Sequence, residues 1–511
     1  MTINLDELFR EGLAHHQAGR IAEADAIYSR ILAQDPTHPD ASNLSGVIAH
    51  GRGQTELAIE RIKVAIARNP KFSGYFHNLG SIYLDQGRFV EAVELLEQSL
   101  RVDANSVVSL YNLASALRGL GRVDEAEVRC REALRLKPDY AEALCNLGIV
   151  RHEQSRFAEA IACYDQALRI DPSLADARLN RGLLRLLLGQ WEEGWQDYES
   201  LWQSSVAPPG MLRSVPWWHG EPLIGRTIVM FGEQGFGDTI QFIRFAKTLA
   251  DRGARVMVRC QPALVELLRS APGVAGVVSD GEPPPAADFA VPMSVLPGRL
   301  RIPLDAIPAE VPYITPAPYA GPEPRDPLDE AIRDEGLLRV GIVWQGEKRQ
   351  RRDVYRSIPL AEYGRLAAVP GVRIYILQKI YGREQLAEWP YASQAIDLAP
   401  RLAQFADTAR AMRKLDLVIS CDTAPAHLAG ALSVPIWVAA AKVPDWRYLL
   451  ERSDNPWYPS MRLFRQTRLG TWSDVFEQLA AALAERVAER PAQTRYGPLT
   501  PGPSPTRGEG R

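Results

Sequence analysis

The sequence predicts an α-solenoid followed by an α/β region of two Rossmann-like lobes, and three observations carry that expectation. Glycines recur at 34-residue spacing through the first two hundred residues, as Gly19, Gly53, Gly87 and Gly121. Such a period marks stacked helix hairpins, each burying its apolar face only against its neighbours. Beyond them, short apolar runs alternate with helical segments, the pattern of parallel sheets covered by helices. The third observation is the stretch Asp416–Gly430, DLVISCDTAPAHLAG. Leu417–Ile419 reads as a buried strand that passes through Asp422-Thr423 into a small-residue helix, Ala424 to Leu432.

The solenoid comes first. Gly189 extends the first comb, with Ser155 filling the gap. A second comb runs Gly12, Gly46, Gly80, Ala114, Gly148, Gly182, and a third Ala24, Ala58, Ala92, Ala126, Ala160, Gly194. Small residues in the first and third combs are expected to let paired helices approach closely. Pro36, Pro70, Pro138 and Pro172 should end the second helix of four pairs. The six in-phase units match the tetratricopeptide pattern and occupy residues 1–205. Asn78, Asn112, Asn146 and Asn180 form a further comb on the first helix of successive units, which lines the concave groove of such arrays. Amides in register can hold the backbone of a protein or peptide partner, or bond only to neighbouring repeats. The ladder resembles that in the repeat domain of eukaryotic O-linked N-acetylglucosamine transferases. In the sixth unit Trp191, Trp195, Tyr198 and Trp202 share one helix, an expected docking face, and residues 206–225 form the linker that follows.

Composition narrows the function. With 59 basic against 62 acidic residues, the chain is not built to bind nucleic acid by phosphate neutralisation. Five cysteines without CxxC spacing read as reduced core thiols, and hence as a cytoplasmic protein. The acidic start MTINLDELFREG carries no secretory signal. Thr423–Ala441, the most nearly membrane-like run, contains His427 and two prolines, so no membrane span is expected.

In the second half, Thr227–Phe231 is an apolar run followed by the glycine-rich turn Gly232–Asp238 and a helical segment Thr239–Asp251. Val256–Cys260, Val274–Val278 and Phe289–Val291 complete the strands of a first lobe, residues 226–318. Thirteen prolines in the 45 residues Pro283–Pro327 mark an extended connection between lobes. A second lobe, residues 319–490, takes strands at Arg339–Trp344, Val372–Leu377, Leu417–Ile419, Ile436–Ala439 and Leu463–Phe464, then a helix from about Thr471 to Glu489. Residues 491–511 are too poor in apolar side chains to fold and should be disordered.

Three motifs carry a resemblance: Glu233–Phe245 (EQGFGDTIQFIRF), RSIPL at Arg356–Leu360, and the Asp416 stretch. Together with WEEGW and PWYPSMRLFRQ, they resemble bacterial tetratricopeptide proteins fused to a GT-B glycosyltransferase. The catalytic part is similar to glycosyltransferase family nine, the heptosyltransferase family. The resemblance implies a nucleotide-sugar donor, with Asp238 of the Gly237-Asp238 pair as general base. It also implies that Asp422, Thr423 and His427 meet the donor diphosphate, with Arg356 near a family lysine that contacts donor phosphate. Gly235 and Gly237 would let the backbone pass close to the donor. No Asp-x-Asp metal motif occurs, so a metal-independent, inverting transfer is expected, with helix amides and basic side chains such as Lys348–Arg352 gathering the phosphate charge. Other readings of the residues stay open. Asp238 can simply cap a helix starting at Thr239, Asp422 or Thr423 can cap the next, and His427 can be structural. The competing whole-protein readings are a scaffold with a degenerate transferase lobe and a carbohydrate-binding module without turnover.

Overall fold

The computed structural model describes residues 4–203, 215–232, 235–323, 325–333, 336–347 and 353–490. The arginine-rich run at 348–352, residues 206–214 of the expected linker, and the tail at 491–511 lie outside the described residues. The chain divides into two compact units. One takes in Met1–Arg185, Gln196–Ala207 and Arg349–Val354; the other takes in Leu186–Trp195, Pro208–Lys348 and Tyr355–Arg511.

The first unit stacks helix pairs at the predicted period: Leu5–Gln17 with Ile21–Gln34, Pro39–Gly51 with Thr55–Arg68, Ser73–Asp85 with Phe89–Val102, and so on. Second helices end at Gln34, Arg68, Leu136 and Ile170, each two residues before its proline, as the lost N–H requires. The first comb works differently from the expectation. Gly19, Gly53, Gly87, Gly121 and Gly189 sit between paired helices at φ of 72–77°, with Ser155 at 63°. A Cβ at Gly19 or Gly53 would meet nothing within 4 Å. Left-handed backbone in the turn, not close approach, selects glycine there.

Close approach belongs to the second comb. A Cβ at Gly46 would lie 2.8 Å from Ile62 Cγ1, and one at Gly148 only 2.5 Å from the Tyr164 ring. The same sixteen-residue offset pairs Ala114 with Cys130, the smallest side chain at that register. The third comb is buried, and the Ala58 carbonyl lies 3.1 Å from the Gly46 Cβ position. All five cysteines are buried and unbridged.

The second unit holds two wholly parallel sheets. The first contains β1 (Thr227–Phe231), β2 (Arg255–Cys260), β3 (Val274–Ser279) and β4 (Phe289–Pro292), in the order β3-β2-β1-β4. The second contains β5 (Leu338–Val343), β6 (Val372–Ile376), β7 (Ile396–Asp397), β8 (Leu417–Ser420), β9 (Ile436–Ala440) and β10 (Met461–Arg465), in the order β10-β9-β8-β5-β6-β7. Most of these strands are buried along much of their length and read as apolar runs, and nine of the ten stand out in the sequence. Trp344, Tyr363, Phe476 and Leu479 pack beneath the second sheet, capped by the helix Ser473–Ala488. Among the described residues no helix is long and apolar enough to cross a membrane.

One helical segment splits. Instead of Thr239–Asp251, the structure has Phe236–Phe242 and Phe245–Asp251. The break falls at Ile243-Arg244, where Arg244 Nε donates to the Gln241 carbonyl at 2.9 Å and Ala246 N bonds Ile243 O one residue early.

Candidate functional site

In open parallel sheets, ligands bind beyond the carboxyl ends of strands where the strand order reverses. The first sheet reverses between β1 and β4, the second between β5 and β8. The turn after β1 carries Gly235, Gly237 and Asp238; the turn after β8 carries Asp422 and Thr423. The two turns meet. A Cβ on Gly237 would lie 2.8 Å from His427 Cδ2 and 3.5 Å from Ala424 Cα, so the helices Phe236–Phe242 and Ala424–Ala431 cross at a point where only glycine fits.

Asp238 is not a cap. The N-cap of its helix is Gly235, in extended backbone, and Asp238 lies in the first turn with its carboxylate turned to the opposite sheet. There it accepts from Arg447 Nη2. Its side chain keeps 33% of its surface exposed. The surrounding protein nonetheless raises its carboxyl above the ordinary aspartate range, with Asp445 adding to the rise and Arg447 and Arg356 opposing it.

On the side of the second sheet, Asp422 Oδ1 accepts from the Tyr448 hydroxyl at 2.8 Å, and Arg356 Nη1 donates to the Asp422 carbonyl at 3.2 Å. Burial raises the Asp422 carboxyl as well, reinforced by Asp445. Neither Asp422 nor Thr423 makes the capping bond expected of it. Thr423 occupies the N-cap position of Ala424–Ala431 without a side-chain cap bond. Its hydroxyl turns inward, 3.2 Å from Ser420 Oγ and 3.3 Å from the Cys421 carbonyl, because the buried Ser420 supplies a partner that water would otherwise provide.

His427 lies one turn further on, buried, with Nδ1 3.2 Å from the Tyr458 hydroxyl. Burial, aided by Arg447, Arg244 and Arg356 and opposed by Asp445, lowers its pKa to about 3. The folded value is below the unfolded 6.5, so its contribution to stability is whole above pH 6.5 and is lost as pH falls toward 3. The raised carboxyls of Asp238 and Asp422 act in the opposite direction. Comparison with His427→Gln isolates the imidazole. Between pH 7 and pH 4.5 the wild type should lose about 2–3 kcal/mol more than the variant in urea denaturation.

The residue tying the cluster together has no signal of its own in the sequence. Arg447 stands in the turn after β9, where Asp445 accepts from its backbone N–H at 3.0 Å. Its guanidinium donates to Asp238, to Asp445 Oδ1 at 2.8 Å and to Gln241 Oε1 at 2.7 Å, stacked 4.5 Å from the Trp446 ring. Trp446 in turn meets Trp191, Trp195 and Trp457 edge to face at 5.3–5.9 Å. The only sequence hint is position: PDWRY follows an apolar strand of the second sheet.

The asparagine comb belongs to the first unit, and its members differ. Asn78 Nδ2 donates to Asn43 of the preceding repeat at 2.9 Å. Asn146 is buried, accepts from Arg118 Nη1 at 2.9 Å and donates to Ser115 Oγ at 3.0 Å. Asn180 bonds its own helix through the Asp176 carbonyl at 2.7 Å. For Asn146 the expectation of peptide binding is corrected: its amide is spent on the preceding repeat. Asn112 is half-buried. Asn146→Ala should therefore cost about 2–3 kcal/mol of array stability, and Asn112→Ala under about 0.5, measured by chemical denaturation.

Comparison with known proteins bears on the first unit above all. The tetratricopeptide repeat family matches residues 9–73 and 145–203, 76–107, and 105–173. Protein FlbA of Caulobacter vibrioides is 25% identical over 330 residues, covering 59% of this chain and 54% of its own. That share exceeds what the repeats occupy, so the likeness runs into the second unit. The Photosystem I assembly protein Ycf3 of Prochlorococcus marinus is 30% identical over 93 residues, covering 18% of this chain and 54% of its own. The chain thus spans about half the length of the curated relatives it matches. Among solved structures, the thermophilic TPR protein TTC0263 of Thermus thermophilus aligns at 24% identity and a TM-score of 0.32, over 36% of this chain and all of that one. Residues 9–203 are tetratricopeptide repeats.

Proposed function

We propose that the second unit is a nucleotide-sugar-dependent glycosyltransferase of the GT-B type, similar to glycosyltransferase family nine, whose repeats select the acceptor. One observation carries the reading. At the reversal points of two parallel sheets, a carboxylate of raised proton affinity on one side faces, on the other, a strand–Asp-Thr–helix junction flanked by Arg356 and Arg447. In the transfer, Asp238 takes the proton of the acceptor hydroxyl as its oxygen bonds the anomeric carbon from the face opposite the leaving group. The bond from that carbon to the diphosphate breaks, and the two guanidiniums with the helix amides receive the released charge without a metal ion. His427, held neutral, orients Tyr458 and adds no charge.

A second reading has its own support. Gly237 crowds the start of the helix at Ala424, and Asp238 is already paired with Arg447, as a closed, non-enzymatic lobe on a binding scaffold would be. Thermal-shift screening of nucleotide sugars separates the two. On the transferase reading one class of donor at a hundred times its Kd adds about 2.7 kcal/mol of stability. On the scaffold reading none shifts the transition of the second unit.

A further inference from the structure

The expected base does not stand open to a substrate. Three groups on two segments share the Arg447 guanidinium: Asp238 and Gln241 from the helix after β1, and Asp445 from the turn after β9. The side chain is only 9% exposed and lies between the faces of Trp446 and Phe242, at 4.5 and 5.4 Å. Its charge is felt by Asp238, Asp422 and His427 alike. Arg447 therefore holds the carboxylate beside the first sheet directly, and its charge reaches Asp422 and His427 at the helix start beside the second. Arg244, the other buried guanidinium nearby, is differently employed. It donates to the carbonyls of Gln241, Pro308 and Trp457 and to the Tyr313 hydroxyl, a structural set with no carboxylate in it.

We propose that Arg447 is an anion-binding residue of this site and that Asp238 masks it until a diphosphate arrives, so that donor binding and release of the base are one exchange of partners. The identity of the anion rests on the reading of this unit as a diphosphate-releasing transferase; the masking rests on the geometry alone.

The physical case is one of competition. A planar guanidinium pairs with carboxylate or phosphate through the same fork of donors. A diphosphate carries more charge than one carboxylate and gains the Ala424 helix amides as well, so it can displace Asp238 without leaving Arg447 unpaired. Asp445 and Gln241 keep the guanidinium in place while one partner replaces the other. An aspartate paired with arginine is a poor base, and the same aspartate released into a crowded cleft is a better one. Asp238, whose carboxyl already lies above the ordinary aspartate range, would thus gain further proton affinity with a donor in place.

The masking predicts an outcome opposite to that of an ordinary binding residue. Inorganic pyrophosphate, titrated calorimetrically into the full chain, should bind Asp238→Asn tenfold or more tighter than wild type, because the neutral amide no longer competes. Arg447→Gln should abolish that gain in the Asp238→Asn background, and Arg447→Lys should keep part of it. Circular dichroism on each preparation controls for folding, and the near-isosteric Asp238→Asn decides the matter even if Arg447→Gln does not fold. Pyrophosphate affinity in Asp238→Asn equal to or below wild type overturns the proposal, as does a gain that survives Arg447→Gln. A gain without turnover of any nucleotide sugar leaves the masking standing and removes the transferase reading; turnover without a gain does the reverse.

Discussion

Asp238→Asn should lower sugar transfer by about 10²–10⁴ while leaving the second unit folded. Asparagine has nearly the shape of aspartate and can still accept from Arg447, but it cannot take up the proton of an acceptor hydroxyl. The cost to stability should be about 1 kcal/mol, because Arg447 retains Asp445 and Gln241 and the position is partly open to water. Helix capping is not at stake, since Gly235 holds the N-cap position. Initial rates and denaturation midpoints on one preparation give both quantities. Transfer within a few fold of wild type would assign the base elsewhere.

Arg244→Ala should destabilise the second unit by about 3–5 kcal/mol, the largest stability effect expected in the chain. The guanidinium is buried and bridges residues far apart in sequence: Gln241, Pro308, Tyr313 and Trp457. It also lies 4.5 Å from the Tyr313 ring and 4.8 Å from that of Tyr458, each a favourable cation–π contact. Truncation leaves the Pro308 and Trp457 carbonyls without this donor and opens a void between three aromatic rings. Arg244→Lys should recover little, because an ammonium cannot span four acceptors that a planar fork reaches together. Urea denaturation reads the loss; a change under about 1 kcal/mol would show that the rings alone hold the region.

These effects differ in how far the sequence announces them. The repeat period, the proline stops and nine strands are legible because each depends on local backbone needs or on a continuous apolar run. The strand Ile396–Asp397 is too short to leave such a run. The glycine comb at Gly19 is legible as a pattern but not in its cause, since left-handed turns and close helix contact both select glycine. The cap stays open as an alternative for Asp238 in the sequence because a glycine-rich turn disguises where the helix begins, and that helix in fact starts at Phe236. Thr423 reads as a crevice-facing hydroxyl until Ser420 is seen beneath it. Asn146 shares a comb with Asn112, yet Arg118 and Ser115 decide that only one of them is buried and spent. Arg447 and Asp238 are 209 residues apart, so their pairing exists only in the fold.

The most direct measurement is nucleoside diphosphate release from UDP-, GDP-, ADP- and CMP-linked sugars, with CMP release followed for the last. Wild type and Asp238→Asn are run side by side in EDTA. One donor class should be consumed by the wild type without added metal, and Asp238→Asn, though folded, should consume it at least about a hundredfold more slowly. Release from no nucleotide sugar, or equal release by the two proteins, would contradict the transferase reading.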